Sequence, residues 1–276
     1  MKVPFTKMHG TGNDFILVDC RSFDLPDPAG FSARYCHRHY GIGADQVLLL
    51  YPSSVADFKM KIYNADGSEV EMCGNGIRCF AKYIWDRNLS GKQALEVETL
   101  AGIIRPVRAG NNVRVDMGMP VFEPQLIPVN IQEAGPLVDY PLTIDGREFR
   151  LTFVSMGNPH AVIFLDEDVS EFPVEIYGPK IEHHSLFPKR TNVEFVNVIS
   201  RNELRMRVWE RGSGETLACG TGATATGVAA MIKTLADKEV TVRLLGGELL
   251  IEWTGNSHAY MTGSANEVFE GVIPYE

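Results

Sequence analysis

Two cysteines open the same four-residue motif, Cys-Gly-x-Gly. It occurs as Cys73–Gly76 and again, about half the chain later, as Cys219–Gly222. Each motif precedes an apolar segment that predicts a helix, so each thiol is expected beside backbone N–H groups that lack helical partners. The positive end of the helix dipole favours a thiolate or a bound anion there, and the glycines let the backbone approach a ligand closely.

Two such helix ends facing one carboxylate suit one class of reaction, the inversion of a carbon atom next to that carboxylate. One thiolate removes the α-hydrogen, and the opposite thiol delivers a proton to the other face. The carboxylate takes up the charge of the carbanion, and the N–H groups at both helix starts stabilise it. This chemistry needs no cofactor in principle, and we expect none.

The similarity between the two halves of the chain extends beyond the cysteines. Polar residues and turns recur in the same order at matching distances from each cysteine, which predicts a tandem duplication. The matched features are Asn13 with Asn158, Gln46 with Asn192, Asn64 with Glu210, and the turns Leu100–Gly102 and Leu245–Gly247. A purely structural repeat would not need matched polar residues, so these positions are candidates for a site.

The elements that must position these residues are mostly strands, and the fold class is predicted as α/β (α+β). Short apolar or alternating runs between turn residues predict strands along both halves. Helical spacing predicts helices over Gly74–Asn88 and Gly220–Ala236, with weaker candidates at Phe31–Tyr40 and Pro173–His184. The proline-rich stretch Pro120–Pro141 is the best linker candidate.

Composition narrows the class of protein. The chain has 276 residues, a length that favours two domains over one or three. A net charge of −9 argues against a nucleic-acid partner or an anionic membrane. No apolar run approaches the roughly 18 residues that would span a bilayer, and the N-terminus has no apolar leader. Five cysteines, an odd number, favour reduced thiols and a cytoplasmic protein.

Other interpretations of these motifs are weaker. Cys20, Cys36 and Cys79 are expected to be small buried residues. The run Gly220–Ala225 also fits the dinucleotide fingerprint G-x-G-x-x-A, but the segment before it is predicted as a turn rather than a strand. A metal site at Cys36, His37 and His39 lacks a second ligand set at the usual spacing, so no metal is expected.

Longer motifs closely resemble those of the diaminopimelate epimerase family over nearly the whole chain. They are Met8–Phe15, Asn64–Ser68, Cys73–Cys79, Gly157–His160, Glu210–Gly212 and Cys219–Gly222. The resemblance implies interconversion of LL- and meso-2,6-diaminopimelate, a step of lysine biosynthesis, by two bases and without a cofactor such as pyridoxal phosphate. It also implies two pseudo-symmetric domains, each a curled sheet around a central helix, with the site in the cleft between them. We place these domains at 1–117 with 264–276 and at 118–263.

The resemblance also assigns roles to residues. Cys73 and Cys219 resemble the catalytic base and acid, while Gly74, Asn75, Gly220 and Thr221 resemble the backbone cradle of the reacting carboxylate. Positions that match the family's substrate-binding residues are Asn13, Gln46, Asn64, Asn158, Asn192, Glu210 and Arg211. Arg211 can bind a distal carboxylate through two hydrogen bonds, and Glu210 can accept from an ammonium. His160, like Glu210, matches a residue that supports catalysis, although an Asn-Pro-His turn can also be purely structural.

One position departs from the family. Phe269 stands where a tyrosine commonly supports the dimer, so the aromatic ring is kept and the hydroxyl is lost; a homodimer is still expected. Two other functions stay open. A related two-cysteine racemase or epimerase for proline or hydroxyproline would share the thiols but have no use for Arg211 and Glu210. A non-catalytic thiol redox switch would need neither this pair nor the matched amides.

Overall fold

The computed structural model describes residues 1–275, so Glu276, the last residue of the predicted first domain, lies outside the described residues. The chain packs as two compact units. The first contains Met1–Asp116 and the chain from Thr262 onward, and the second contains Met117–Met261. The predicted domain bounds lie close to this division.

The first unit is built on one sheet with two main helices. In chain order its elements are β1 (Lys2–Gly10), β2 (Asn13–Asp19), α1 (Pro28–Tyr35), β3 (Gln46–Tyr51), β4 (Phe58–Asn64), β5 (Glu69–Val70), α2 (Gly74–Asp86), β6 (Val97–Thr99), β7 (Gly102–Ile104), β8 (Val107–Ala109), β9 (Asn112–Asp116) and β19 (Asn266–Pro274). The sheet has the order β19-β1-β2-β3-β4-β6-β7, and β5 pairs with β4; β8 and β9 lie outside this sheet and pair with each other.

The second unit repeats this plan. Its elements are β10 (Tyr140–Ile144), β11 (Arg147–Ser155), β12 (Pro159–Phe164), α3 (Val174–Glu182), β13 (Asn192–Ser200), β14 (Glu203–Glu210), β15 (Gly214–Thr216), α4 (Gly220–Ile232), β16 (Glu239–Leu244) and β17 (Gly247–Glu252). The strand β18 (Tyr260–Gly263) follows at the sequence boundary between the units. The sheet runs β10-β11-β12-β13-β14-β16-β17, with β15 on β14.

Equivalent strands pair in the same way in both units. In the first unit, β2 and β3 form a parallel pair, and β4 and β6 form another. The strands β3 and β4 between them pair antiparallel. In the second, β12–β13 and β14–β16 are parallel and β13–β14 antiparallel. A helix connects each parallel pair, as parallel strands require a crossover. The mixed α/β class and the two sheet-rich domains are therefore confirmed.

The helices end earlier than their apolar spacing predicts. After α2, Asn88 has φ 54°, and after α4, Thr234 has φ 58°. A left-handed residue therefore stops each helix before its predicted end. The helix α1 begins before the predicted Phe31 because the Asp27 side chain caps the N–H of Gly30 and Pro28 occupies the first turn. None of the helices within residues 1–275 is both long enough and apolar enough to cross a membrane.

The proline-rich stretch was predicted as a linker, and that prediction is wrong. Ile127, Val129, Ile131 and Leu137 are buried in the hydrophobic core of the second unit together with residues of its strands. Regular structure is absent over most of this stretch because its prolines cannot donate to a strand ladder. The apolar residues between the prolines nevertheless pack against the sheet.

Candidate active site

Both motif cysteines cap a helix. Cys73 precedes α2 and Cys219 precedes α4, and both have an extended backbone. The torsions are φ −137° and ψ 118° for Cys73, and φ −124° and ψ 111° for Cys219. In both units the sulfur accepts the backbone N–H three residues further on, from Gly76 and from Gly222, at 3.4 Å. The two halves therefore build the same local site, a thiol among the N–H groups of a helix start, which favours anionic groups.

In the first unit, strand pairing brings the polar candidates to one end of the sheet. The residues between β1 and β2, Thr11 and Gly12, have φ 57° and 84°. This tight turn places Asn13 at the start of β2. Gln46 opens β3 beside the start of β2 and lies opposite Asn64 on β4. The Gln46 Nε2 donates to Asn64 Oδ1 at 2.9 Å.

These amides present oxygen atoms near Cys73. The Asn13 Oδ1 lies 3.6 Å from Cys73 Sγ and accepts from Asn75 Nδ2 at 3.3 Å. Within residues 1–275, Gln46 Oε1 and Asn75 Oδ1 are buried without a hydrogen-bond partner. A buried acceptor without a donor is costly, and each of these two oxygens can accept from an N–H group.

An ion-pair network that sequence analysis did not assign holds Asn13 in place. Asp45 Oδ2 accepts from Asn13 Nδ2 at 2.8 Å. Because a carboxylate only accepts, the Asn13 amide must direct its nitrogen to Asp45 and its oxygen towards Cys73. Arg38 bridges Asp45 and Asp14, and Lys7 donates to Asp14 at 2.6 Å. Burial raises the pKa of Asp14, but hydrogen bonds from Arg38 and Lys7 outweigh it and lower the pKa to about 2.

We expect Asp14→Asn to lower the free energy of unfolding by about 2 kcal/mol at pH 6. Because the folded pKa lies below the unfolded one, the contribution is present above about pH 4 and is lost as the pH falls towards about 2. Urea unfolding at about pH 6 and 3 should show the difference between wild type and variant shrinking to about half. A difference that is constant with pH would contradict this account.

A buried guanidinium near Cys73 was also not predicted. The Arg78 side chain is fully buried and donates to Thr11 Oγ1 at 2.6 Å and to the Gly74 carbonyl at 3.3 Å. Burial lowers the pKa of Arg78 to about 10, with a smaller opposing effect from Cys79 and Cys73. It therefore keeps its charge at neutral pH and places a cation near Cys73. In the duplication, the matching residue on α4 is the uncharged Thr224.

In the second unit, a hydrogen-bonded series leads to Cys219. Asn158 Nδ2 donates to Thr221 Oγ1 at 3.2 Å, and this hydroxyl lies 3.5 Å from Cys219 Sγ. His160 contacts Asn158 Oδ1 through Nε2 at 2.9 Å and Glu194 Oε1 through Nδ1 at 2.6 Å. His160 and Glu194 are both fully buried. His160 thus faces the candidate site, whereas Glu194 was not predicted.

The remaining candidates of this unit meet at the end of β14. Asn192 is buried, donates to the Pro159 carbonyl and accepts the backbone N–H of Arg211, both at 2.9 Å. It therefore holds the turn that carries Arg211, and its contact with a ligand stays a prediction. The Glu210 carboxylate accepts from the Thr216 hydroxyl. The Arg211 guanidinium is exposed, with one bond to the Lys189 carbonyl at 3.3 Å.

Cys219 is held in its thiol form by its surroundings. Burial raises its pKa well above the usual value, and the carboxylates of Glu210 and Glu194 raise it further. Hydrogen bonds from Thr221 and Gly222 lower the pKa by less. A thiol of this kind stays protonated at neutral pH, whereas Cys73 lies near the Arg78 cation.

The other three cysteines are buried and free. Burial raises the pKa of Cys20 to about 11 and that of Cys79 to about 12, and it also raises the pKa of Cys36. Thiols with such values stay protonated at neutral pH. Packing accounts for these three residues.

The alternative motifs find little support in the structure. Within residues 1–275, no group of three or more His, Cys, Asp or Glu side chains could hold a metal ion. The segment before α4, predicted as a turn, contains the short strand β15. Because β15 runs antiparallel to β14, it does not form the parallel strand–helix unit of a dinucleotide site.

Phe269, the predicted dimer residue, lies on the edge strand β19. Its ring is 46% exposed and packs edge-on against Phe5 at 5.9 Å between centroids. The neighbouring Val268 and Val272 are also exposed. A strand at a sheet edge with exposed apolar side chains can be covered by a partner.

Known proteins resemble this chain in sequence and in fold. The sequence model of the family described as diaminopimelate epimerase matches residues 5–123 and 152–268. A diaminopimelate epimerase from Acetivibrio thermocellus is 53% identical over 275 residues, covering 98% of both chains. One from Moorella thermoacetica is 52% identical over 279 residues, covering 99% of both.

Solved structures at low sequence identity share the fold. A phenazine biosynthesis protein of the PhzF family from Bacillus anthracis is 15% identical, covers 100% of both chains and has a TM-score of 0.74. A hydroxyproline epimerase from Agrobacterium vitis is 16% identical with a TM-score of 0.69, covering 99% of this chain and 92% of its own.

Proposed function

The chain belongs to the diaminopimelate epimerase family, isomerases that act on amino acids, and from this premise we propose that it interconverts LL- and meso-2,6-diaminopimelate by a two-thiol proton transfer. The step belongs to lysine biosynthesis, and we propose a cytoplasmic location. The substrate is a small amino acid, and the proposed chemistry requires no cofactor such as pyridoxal phosphate.

In the proposed mechanism, Cys73 and Cys219 act on opposite faces of one α-carbon. One sulfur, as a thiolate, takes the α-proton, and the other, as a thiol, gives its proton to the opposite face. The electron pair of the broken C–H bond moves into the carboxylate. After turnover the two sulfurs have exchanged protonation states, so the reverse reaction uses them in exchanged roles.

The observation that carries this proposal is the duplicated cap. In each unit a cysteine N-caps a helix, and its sulfur accepts the same backbone N–H at the same distance of 3.4 Å. The backbone at Gly74–Asn75 and at Gly220–Thr221 leaves N–H groups for the reacting carboxylate. These groups stabilise the developing charge in the role of an oxyanion hole.

The charge difference between the two units also supports exchange of a proton between a thiolate and a thiol. Arg78 is a buried cation near Cys73, whereas burial, together with the Glu210 carboxylate, raises the pKa of Cys219. One cysteine therefore has a cation nearby, while the surroundings of the other favour its protonated form. A two-base reaction needs one thiolate and one thiol at the start of turnover.

The second end of the substrate distinguishes this function from its alternative. Arg211 and Glu210 are proposed to bind the distal carboxylate and ammonium, with the amides of Asn13, Gln46, Asn64, Asn158 and Asn192 serving both ends. A proline or hydroxyproline racemase has no distal end to bind. Because a hydroxyproline epimerase shares the fold, the experiment below also tests proline and hydroxyproline as substrates.

A substrate comparison tests the proposal directly. The purified enzyme is incubated with LL-diaminopimelate and, separately, with L-proline and trans-4-hydroxy-L-proline, and chiral chromatography follows each stereoisomer. We expect turnover of diaminopimelate only. Turnover of proline or hydroxyproline without diaminopimelate would establish the second candidate instead, and turnover of none would favour the thiol redox switch.

We expect deuterium from heavy water to enter the inverted product first. The thiol that protonates the new face has exchanged with solvent, whereas the thiolate keeps the substrate's own hydrogen until it returns or exchanges. Mass spectrometry of the separated isomers at low conversion measures the label in each. Label that enters recovered substrate as fast as product would indicate a single base and contradict the two-thiol mechanism.

We propose a homodimer that covers the exposed apolar side chains of β19 around Phe269. Analytical ultracentrifugation at micromolar concentration should give a dimer. Phe269→Glu should shift the equilibrium towards monomer, because a carboxylate is costly to bury without a partner. A monomer for the wild type would refute this proposal.

A further inference from the structure

The duplication reveals an acid–base pair in the second unit at a place where the first unit has apolar side chains. Phe15 pairs with Gln46 across β2 and β3, and His160 pairs with Asn192 in the same way across β12 and β13. Two residues after each amide stand Leu48 and Glu194. His160 and Glu194 therefore occupy the positions of Phe15 and Leu48.

Members of both pairs also lie against equivalent glycines of the two capped helices. A Cβ atom added to Gly76 would meet Leu48 at 3.2 Å and Phe15 at 3.5 Å, and one added to Gly222 would meet Glu194 Oε1 at 2.8 Å. Gly222 is also the residue whose N–H bonds to Cys219. The acid–base pair therefore lies directly under the helix start that carries this thiol.

Fold stability alone does not account for such a pair. Both side chains are fully buried, and replacing a buried ionic pair with packed apolar side chains is often neutral or stabilising. The first unit already has that apolar solution in the same place. Within residues 1–275, Glu194 Oε2 also has no hydrogen-bond partner, a cost that is smaller for a neutral carboxyl group than for a carboxylate.

The burial determines how many protons the pair holds. Burial raises the pKa of Glu194, and the His160 neighbour lowers it by less. A single proton on the pair would leave a net negative charge without solvent, so the neutral pair with two protons is favoured. One proton is then shared between His160 Nδ1 and Glu194 Oε1, and the other stays on His160 Nε2.

A protonated Nε2 fixes the next groups in the series. It donates to Asn158 Oδ1, so the Asn158 amide directs its Nδ2 towards Thr221, which lies beside Cys219. The equivalent Asn13 is turned the opposite way, because Asp45 binds its nitrogen and leaves its oxygen near Cys73. The two units thus present an N–H donor on one side and an oxygen acceptor on the other.

We propose that Glu194 is a positioning residue of the epimerase reaction: it keeps the proton on His160 Nε2 and thereby fixes the Asn158 amide and the Thr221 hydroxyl beside Cys219. Glu194 does not touch the substrate and acts through these three residues. The proposal rests on the proposed function for its kinetic consequence, whereas the position of the proton can be measured without turnover.

The first experiment determines whether His160 Nε2 carries a proton. Nitrogen NMR on histidine-labelled enzyme, with the His160 signals assigned through His160→Gln, distinguishes a protonated from an unprotonated Nε2. We expect a protonated Nε2 from about pH 6 to 8 in the wild type. An unprotonated Nε2 would overturn the proposal even if the enzyme is an active epimerase.

The second experiment separates positioning from structure. Glu194→Gln can donate from its amide to Nδ1 and keep the proton on Nε2, so we expect it to retain most of kcat/KM. Glu194→Leu introduces the side chain that the first unit has at this position. We expect this variant to lose about 10- to 100-fold in kcat/KM, as often happens when a residue that orients a site residue is removed. Its melting temperature should be maintained. If Glu194 had a purely structural role, Glu194→Leu would instead have a lower melting temperature. The fraction of this variant that folds would then keep its kcat/KM.

A double variant keeps the test decisive if Glu194→Leu alone folds poorly. His160→Phe combined with Glu194→Leu rebuilds the apolar pair of the first unit, and we expect it to fold and to show a loss at least as large. Equal kcat/KM for Glu194→Gln and Glu194→Leu would overturn the proposal. Inactive wild type with a protonated His160 Nε2 would instead count against the proposed function.

Discussion

Cys73→Ala and Cys219→Ala are each expected to lower kcat/KM for diaminopimelate by about a thousandfold or more, in both reaction directions. Each variant removes one of the two groups that transfer the proton, and the amide and hydroxyl groups beside each sulfur are poor acids and bases. Chiral chromatography of LL- and meso-diaminopimelate in both directions measures the loss.

Two controls accompany these variants. Cys20→Ala removes a buried thiol that packs in the core of the first unit, and it should keep near-wild-type kcat/KM. Cys73→Ser and Cys219→Ser retain a hydroxyl, a much poorer acid and base at neutral pH, and should also be severely impaired. Thermal melting of all five variants checks that the loss does not come from unfolding.

The alanine variants also distinguish the two sulfurs. Because one thiol remains in each, exchange of the α-hydrogen with heavy water without inversion can persist where a single base still reaches the substrate. We expect any such exchange to involve only the isomer whose α-hydrogen faces the remaining sulfur. Near-normal epimerisation by either alanine variant would contradict the two-thiol mechanism.

Much of the fold follows from local signals in the sequence. The strands that begin at Gln46 and Asn192 have apolar residues bounded by turn signals, and the duplicated order predicts two similar halves. The ends of the helices depend on single left-handed residues such as Asn88 and Thr234, which helical spacing does not reveal. The buried stretch around Val129 was missed because its prolines resemble those of a linker.

The site divides in a similar way. The two cysteines and the amides near them could be predicted because the duplication places polar residues at matching positions in both halves. Glu194, Arg78 and Asp45 were missed because they stand opposite Leu48, Thr224 and Thr191 in the other half and are not among the matched polar positions. Glu194 and Asp45 meet His160 and Asn13 only after the strands pair, and a single sequence carries no signal for that.

Arg211→Gln is expected to raise the KM for diaminopimelate by about 10- to 100-fold, the effect of losing a charged hydrogen-bond partner. The buried Asn192 holds the backbone N–H of Arg211 at 2.9 Å, so the guanidinium projects from a fixed turn. It is exposed and makes a weak bond to the Lys189 carbonyl, which leaves its paired N–H groups for a distal carboxylate.

The kinetic pattern should separate binding from chemistry. The distal carboxylate keeps the same contact in the ground state and in the transition state, so KM should rise while kcat changes much less. Arg190→Gln is the matched control, because Arg190 lies in the same part of the chain, is exposed and makes a long ion pair with Glu182 at 3.7 Å. We expect nearly unchanged constants for it. An unchanged KM for Arg211→Gln, or an equal rise in both variants, would mean that Arg211 does not bind the distal end and would reopen the choice between a diaminopimelate and a proline-type substrate.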